Sequence, residues 1–329
     1  MNNRYYSGVR SDHFDGALFF NPDSDKLPGG FRDLLRWMRG EKRAQWPKHW
    51  PSPFPQAKPE SRVEGDRLRI TMIGHASMLI QTAGLNILTD PVFAKRVSPF
   101  SFMGPTRVNE PGIRFADLPD IDAVLLSHNH YDHLDMAAIK QLVAIHDPLI
   151  VTPLGNDHVI HAKVPAARVK TGDWLDSVPL RDDVTIHFEP AHHWSARWTR
   201  DRRMALWAAF VIETPGGKIY FAGDTGFHGG TNFRATAERH PELRFALLPI
   251  GAYEPRWFME GHHQNPAEAV EAFKILQAPL AGGYHWGTFQ LTNEAVDAPE
   301  QDLQAALQAA GVEAERFQAL RPGQVWDIP

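Results

Sequence analysis

The 329-residue chain contains no cysteine. That excludes disulfides, thiolate metal ligands and a cysteine nucleophile, and it leaves the cellular compartment open. The chain also lacks any run approaching ~18 uninterrupted apolar residues, the length a helix needs to cross a bilayer. Behind Met1, the segment Asn2-Asn3-Arg4-Tyr5-Tyr6-Ser7 offers no apolar core of a signal peptide, so none is expected and the cytoplasm is the default compartment. Positive charge is not in excess. The formal net charge is −5, and no basic helix with interleaved aromatics is long enough to argue for nucleic-acid binding. What remains is ordinary globular stock: 43% hydrophobic and 22% charged residues, enough to bury a core of adequate size.

Histidine is plentiful, at 17 residues, and its placement carries the chemistry. Ser127-His128-Asn129-His130-Tyr131-Asp132-His133-Leu134-Asp135 follows the apolar run Val124-Leu125-Leu126. Imidazole nitrogen and carboxylate oxygen form the donor set that suits Zn²⁺ and related borderline metals. His128 and His130 are two apart, so in extended backbone they point the same way and can grip one ion. Asp132 continues that side, and a turn after it aims His133 at a neighbouring second ion. One motif cannot close two sites, so other strand ends must supply ligands. Three fit: Glu189-Pro190-Ala191-His192-His193-Trp194, Gly223-Asp224-Thr225-Gly226 and Gly283-Tyr284-His285-Trp286-Gly287. Each places a donor beside a small or turn-forming residue after an apolar segment.

Along the chain, residues 1–60 read as an N-terminal arm packed on the core, ending in the proline-rich Trp46-Pro47-Lys48-His49-Trp50-Pro51-Ser52-Pro53-Phe54-Pro55. Within the arm, Phe31 to Arg39 reads as a short helix with Phe31, Leu34, Leu35 and Met38 on one face. Such a face suits its own domain or, with arginines elsewhere on the helix, peripheral contact with an anionic membrane. Residues 61–329 form the second unit. Short strands are expected at Leu68–Ile73, Ser77–Gln81, Asn86–Thr89 and Ala123–Leu126. Helices are expected from an Asp135 cap to about Ala144, from the Asn265-Pro266-Ala267-Glu268 start signal, and from Pro299 to Ala310 before Gly311. No internal repeat stands out.

The order His-x-His-x-Asp-His, His, Gly-Asp-Thr-Gly, late His resembles the metallo-β-lactamase superfamily. The segments Phe221-Ala222-Gly223-Asp224-Thr225-Gly226, Gly251-Ala252-Tyr253-Glu254-Pro255-Arg256-Trp257-Phe258-Met259, His285-Trp286-Gly287-Thr288-Phe289, Thr89-Asp90-Pro91-Val92-Phe93 and Met103-Gly104-Pro105 narrow the likeness to its N-acylphosphatidylethanolamine-hydrolysing phospholipase D branch, over roughly residues 65–325. The resemblance implies an α+β fold, a four-layer αββα sandwich, built of two similar halves. It implies two zinc ions, with other divalent transition metals as substitutes: His128, His130 and His193 on one, Asp132, His133 and His285 on the other, and Asp224 bridging. In the branch the ligand immediately precedes a Trp, which selects His193 over His192. Asp132, His263 and Asp90 are the expected catalytic residues. Asp90 would fix the tautomer of a ligand histidine, and His263 would donate a proton to the leaving oxygen or bind phosphate. His75 is expected to line the site without being a ligand.

Two zinc ions ~3.5–4 Å apart share a water whose pKa falls toward neutrality, and the bridging hydroxide attacks the electrophile. The expected activity is phospholipase D-type phosphodiester hydrolysis of N-acylphosphatidylethanolamine-like lipids. The loop Ser195 to Arg203, with Arg197, Arg200, Arg202 and Arg203, is expected to meet an anionic substrate. Trp194, Trp198, Trp257, Phe258, Trp286 and Phe289 are expected around an acyl groove. A dinuclear hydrolase of a soluble substrate, a sugar-phosphate lactone or cyclic phosphodiester, is the alternative. A non-catalytic metal-binding protein is the third reading, disfavoured by a complete donor set.

Overall fold

Strand Ser77–Thr82 sends Met78 and Ile80 to one side and Leu79 to the other, and all three are fully buried. Strand Leu243–Pro249 does the same with Phe245 and Leu247 against Ala246 and Leu248. Side chains alternate along a strand, so apolar residues on both faces require cover on both faces. This is the sequence signature of a sheet inside a layered sandwich. The computed structural model describes residues 2–22, 30–40 and 43–329, and at Phe31, Met38 and Arg39 the backbone alone.

The first sheet is built from β1 (Leu68–Gly74), β2 (Ser77–Thr82), β3 (Leu85–Thr89), β4 (Ala123–Leu125), β5 (Leu149–Pro153) and β6 (Arg168–Gly172). The second uses β7 (Ser177–Arg181), β8 (Val184–Glu189), β9 (Ala209–Thr214), β10 (Gly217–Phe221), β11 (Leu243–Pro249), β12 (Leu280–Tyr284) and β13 (Phe317–Ala319). The last strand, β14 (Val325–Ile328), returns to the first sheet and pairs antiparallel with β1. The orders are β14-β1-β2-β3-β4-β5-β6 and β13-β12-β11-β10-β9-β8-β7.

Between the sheets lie Ile70, Met78, Ile80 and Leu125 from one side and Ile186, Phe210, Phe221 and Leu247 from the other. Outside the first sheet, Leu79, Leu88 and Val124 pack on Ile139 and Leu142 of the helix Met136–Ile145 and on Ile160 of the helix Asn156–His161. Outside the second sheet, Tyr220, Ala246 and Leu248 pack with residues of the helices Thr231–Arg239, Pro266–Leu276 and Ala298–Ala310. The result is the expected αββα sandwich. The capping chemistry is as read. Asp135 Oδ1 accepts from the amides of Ala137 and Ala138, and Asn265 with Glu268 forms a reciprocal capping box.

The N-terminal residues are woven into this frame. Phe14 and Phe19 are buried in the outer core of the second sheet. Trp50 packs edge-on against Trp286, and its amide donates to Val108 O. The helix Phe31–Gly40 is present. Of its expected apolar face, Leu34 and Leu35 are described, and the side chains of Phe31 and Met38 lie outside the described residues. Among the described residues, no helix is long and apolar enough to cross a membrane.

Candidate metal centre

Every residue of the centre except His263 follows the carboxyl end of a strand. His75 follows β1, Asp90 follows β3, the His128–His133 run follows β4, His193 comes after β8, Asp224 after β10 and His285 after β12. The rigid sheets deliver the ends to one edge, and short loops carry the donors. Three of these residues sit at positive φ: His75 at 58°, Asp90 at 32° and His285 at 66°. Asp and His tolerate that region better than bulky residues, and strain of ~1–3 kcal/mol per residue is held where the surroundings demand a fixed aim. Gly223 (φ 59°) has a different reason. A Cβ there would stand 2.7 Å from Ser127 Cβ and 3.0 Å from Ala208 O, so only glycine lets the Asp224 loop lie against the β4 loop.

One group of donors converges at His128, His130 and His193. His128 Nε2 and His193 Nε2 lie 2.8 and 3.2 Å from His130 Nδ1. His193 Nδ1 donates to His262 O at 3.0 Å, which leaves Nε2 as a bare lone pair. Ser127 Oγ donates to Asp90 Oδ2 and so accepts from His128 Nδ1 at 2.9 Å, which leaves that Nε2 bare as well. At most one hydrogen can serve three facing nitrogens, and His130 Nε2 is itself buried with no partner. Burial together with the mutual repulsion of charged imidazoles holds all three rings neutral, well below the usual histidine range. Three inward lone pairs are what a cation requires.

The second group is His133, His285, Asp132 and Asp224, with His75 beside it. His133 Nδ1 donates to Asp90 Oδ2 at 2.6 Å, so its Nε2 faces Asp224 Oδ2 at 3.1 Å. His285 Nε2 lies 3.1 Å from Asp224 Oδ2 and 3.3 Å from Asp132 Oδ2. Asp224 Oδ2 also lies 3.8 Å from His193 Nε2, so one carboxylate reaches both groups, and its Oδ1 is buried without a partner. Burial alone would lower His285, but the charge of Asp224 and the hydrogen-bonding pull of Asp132 and Asp224 outweigh it and push the ring up to about 9. Buried carboxylates draw protons onto these histidines when no metal is bound, and a divalent ion takes the protons' place. The donor set fits a metal, and the four overlapping His/Asp clusters at this edge are able to hold metal ions.

Asp90 is fully buried and accepts from three donors, the Ser127 amide at 2.7 Å, Ser127 Oγ and His133 Nδ1. Burial pushes its carboxyl up, against the opposing pull of His133 and Ser127. His263 Nδ1 lies 3.9 Å from Asp224 Oδ2 and has no hydrogen-bond partner. Burial pushes this ring down to about 3 against the attraction of Asp224, so it is neutral. His192 turns away from the cluster. Its Nδ1 meets Gly261 O at 2.9 Å and its ring stacks on His228.

The sequence reading understated His75. Its Nε2 lies 3.0 Å from Asp132 Oδ2, its ring centroid is 4.0 Å from that of His285, and its carbonyl accepts from the His285 amide. A lone histidine in Ile73-Gly74-His75-Ala76-Ser77 carries no spacing signal. Only the strand pairing brings it to Asp132.

Two expectations about the surroundings need correction. Arg197 lines the cavity beside the centre, but its guanidinium is also tied to the protein. Its Nη1 donates to the carbonyls of Asn129 and Leu134, and its guanidinium lies 3.7 Å from the Tyr131 ring centroid, so it clamps the metal loop. Arg202, over the Trp194 ring, lines the cavity beside the centre, while Arg200 and Arg203 do not. Likewise Trp286 and Phe289 are core residues, and Trp257 lies under Arg36. The cavity has a volume of about 850 Å³. Its floor is His130, Asp132, His193, Asp224 and His263, and its apolar wall includes Leu34, Phe100, Trp198, Phe258, Met259 and Leu291. The helix of the N-terminal arm supplies Leu34 and Trp37 to that wall, which sequence periodicity alone could not reveal.

Residues 85–286 match the model of the β-lactamase superfamily domain. The chain belongs to the metallo-β-lactamase superfamily, and it is a metal-dependent hydrolase. Within that class it falls in the N-acylphosphatidylethanolamine-hydrolysing phospholipase D-like branch. It is 35% identical to N-acyl-phosphatidylethanolamine-hydrolyzing phospholipase D 1 of Caenorhabditis elegans, over 78% of this chain and 75% of the relative. It is 31% identical to the mitochondrial N-acyl-phosphatidylethanolamine-hydrolyzing phospholipase D of Saccharomyces cerevisiae, over 73% of this chain but about half (52%) of that protein. Among solved structures, a metallo hydrolase of Ignicoccus hospitalis shares the fold, with a TM-score of 0.58 at 17% identity, covering 80% of this chain and 99% of that one.

Proposed function

We propose that the chain is a dinuclear zinc phosphodiesterase of phospholipase D type that cleaves N-acylphosphatidylethanolamine-like lipids. The cavity carries this reading. A donor-lined floor under a large apolar wall suits a substrate with a phosphodiester at one end and acyl chains at the other. The names of the worm and yeast relatives point the same way.

In this reading His128, His130 and His193 hold one ion, Asp132, His133 and His285 hold the other, and Asp224 serves both. When bound, two ions supply Lewis acidity and lower the pKa of water toward neutrality. The chain's own groups do the rest. Asp90 fixes the His133 tautomer so that Nε2 presents a lone pair. His263, kept neutral by burial, offers a ring N–H to a phosphate oxygen and not a full positive charge. Arg202 supplies cationic charge beside the phosphate. The apolar wall orients the acyl chains and excludes water from the metal edge. Oxygen from water joins phosphorus, the bond from phosphorus to the ethanolamine oxygen breaks, and N-acylethanolamine leaves with a proton while phosphatidic acid keeps the phosphate.

Hydrolysis of micellar N-acylphosphatidylethanolamine in ¹⁸O-labelled water tests this, with metal content measured on the same sample. The expected result is label in the phosphate of phosphatidic acid and two zinc ions per chain. Label in a released fatty acid, or turnover of a soluble lactone without turnover of the lipid, rejects the reading in favour of a soluble-substrate hydrolase.

A further inference from the structure

We propose that the mouth of the cavity docks on an anionic phospholipid surface through an apolar ridge formed by Phe100, Phe102, Met103 and Trp198. The proposal rests on the phospholipid reading above and names the surface through which that substrate is reached. These side chains are 37, 78, 55 and 50% exposed, a concentration of large apolar groups in water that a folded chain does not keep without use. The three rings touch, with Phe100 5.7 Å from Phe102 and 5.8 Å from Trp198, and Met103 follows Phe102 in the same loop. Other exposed apolar residues, such as Val9 and Ile145, belong to other segments and share no such cluster.

The ridge is a built feature. Arg96 donates to the carbonyls of Ser101 and Gly104, and the Val97 amide donates to Pro105 O at 3.1 Å, which closes the loop that carries Phe100, Phe102 and Met103. Asp201 Oδ1 accepts from the amides of Arg197 and Trp198 at 3.1 and 2.8 Å, which fixes the second loop. Loops tied by their own hydrogen bonds lose little further freedom on docking. The ridge is also continuous with the site, because Pro99, Phe100 and Trp198 line the cavity.

Charge selects the kind of surface. Lys95 and Arg200 are exposed in the segments that carry the ridge. Arg202, over Trp194, lines the cavity, and Arg36, over Trp257, is carried by the helix that gives Leu34 and Trp37 to the cavity wall. Of the acidic groups in the helix and the second loop, Asp33 accepts from the Gly30 amide, and the buried Asp201 accepts from Tyr5 and the loop amides. An apolar ridge within a basic rim is the pattern that binds an anionic interface.

The test measures co-sedimentation of the full chain with vesicles of equimolar phosphatidylcholine and phosphatidylglycerol. The variants are Phe102→Ser/Met103→Ser and, as a control, Ile145→Ser. Neither Phe102 nor Met103 lines the cavity, so the double variant keeps the wild-type rate on a short-chain N-acyl phosphodiester dissolved below its micellar concentration. It should lose vesicle binding by roughly a hundredfold, about tenfold for each large apolar side chain returned to water, with a parallel fall in turnover of vesicle-borne substrate. Ile145→Ser should change neither. Equal binding by wild type and double variant, or no binding by wild type, overturns the proposal. So does a ridge that holds two copies of the chain together, seen as a dimer lost in the variant while vesicle binding persists. If binding depends on the ridge but N-acylphosphatidylethanolamine is cleaved in no form while a lactone is, the substrate reading falls and the docking surface stands. Cleavage of that lipid in vesicles at equal rates by both proteins does the reverse.

Discussion

The two sheets repeat one plan and divide the chemistry unequally. From β14 through β1 to β6, the pairings are three antiparallel and then three parallel. From β7 to β13 they are again three antiparallel and three parallel. Corresponding strands even end in corresponding residues, since Asp90 follows β3 and Asp224 follows β10, the third strand after the outer one in each sheet. Yet the first sheet crowds four donors into the single loop after β4, whereas the second gives one each after β8, β10 and β12. A shared frame therefore sets where donors can stand, and the loop sequences decide which ends become chemical. Asp90 and Asp224 illustrate the divergence. One is spent on orienting His133 at 2.6 Å, and the other lies between the two histidine groups.

That contrast predicts its largest effect at Asp224. Asp224→Ala removes the carboxylate that reaches both groups, and in the proposed dinuclear site this leaves the two ions less screened from each other. At least one metal per chain should be lost, with a fall in kcat/KM of about a thousandfold or more, beyond the ~10–100-fold typical of residues that only orient a ligand. His192→Ala, two strands away but adjacent in sequence to His193, should keep both metals and most of its activity. Elemental analysis of the two variants decides the matter. Equal metal loss in both would mean that the second sheet's donors are wrongly apportioned.

His75 sharpens the comparison within the first sheet, because it reaches Asp132 from β1 and not from the crowded loop. If its N–H steadies Asp132, then His75→Phe should weaken metal binding by about 10–100-fold. His75→Asn retains an N–H donor and should recover part of that loss. Metal affinity, measured by competition with a chromophoric chelator, separates this role from simple packing. Equal affinities for the Phe and Asn variants would show that the ring's volume matters and its hydrogen does not.

These cases mark what can be read without a structure. The β4 loop was legible because its four donors fall within six residues, and period-two spacing gives His128 and His130 a shared direction. Asp132, expected to continue that side, lies in the turn 131–133 and joins the second group. His193, Asp224 and His285 were legible only through resemblance, since each is a single donor at a strand end. The Asn265 and Asp135 caps were legible because capping is a local matter settled within four residues. Arg197 was half legible for the opposite reason: its place in the cavity wall was expected, its clamp on the loop was not. Its carbonyl partners at Asn129 and Leu134 lie more than 60 residues away, and nothing in a run of arginines distinguishes a clamp from a substrate contact. The duplicated topology was legible only through the resemblance and left no visible repeat, because pairing direction depends on chain path and not on residue identity.

The smallest effect concerns a residue outside both repeats. His13, in the N-terminal segment, bridges Asp12 at 2.6 Å and Asp173, just past β6, at 2.7 Å, while its ring stacks on Trp174. Burial alone would lower this histidine, but the hydrogen bonds and charges of Asp173 and Asp12 outweigh it and raise the ring above its ordinary value. A raised folded-state pKa means that the protonated ring is favoured in the native chain. The stabilisation is fully present below the ordinary histidine value near 6.5 and is lost as pH rises through the higher folded value. His13→Gln should therefore cost about 1–2 kcal/mol more at about pH 6 than at about pH 9, the size expected of charge-assisted hydrogen bonds in a buried setting. Urea midpoints for both proteins at the two pH values give the difference directly. A cost that is the same at both would mean that His13 anchors the arm by packing on Trp174, with no contribution from its charge.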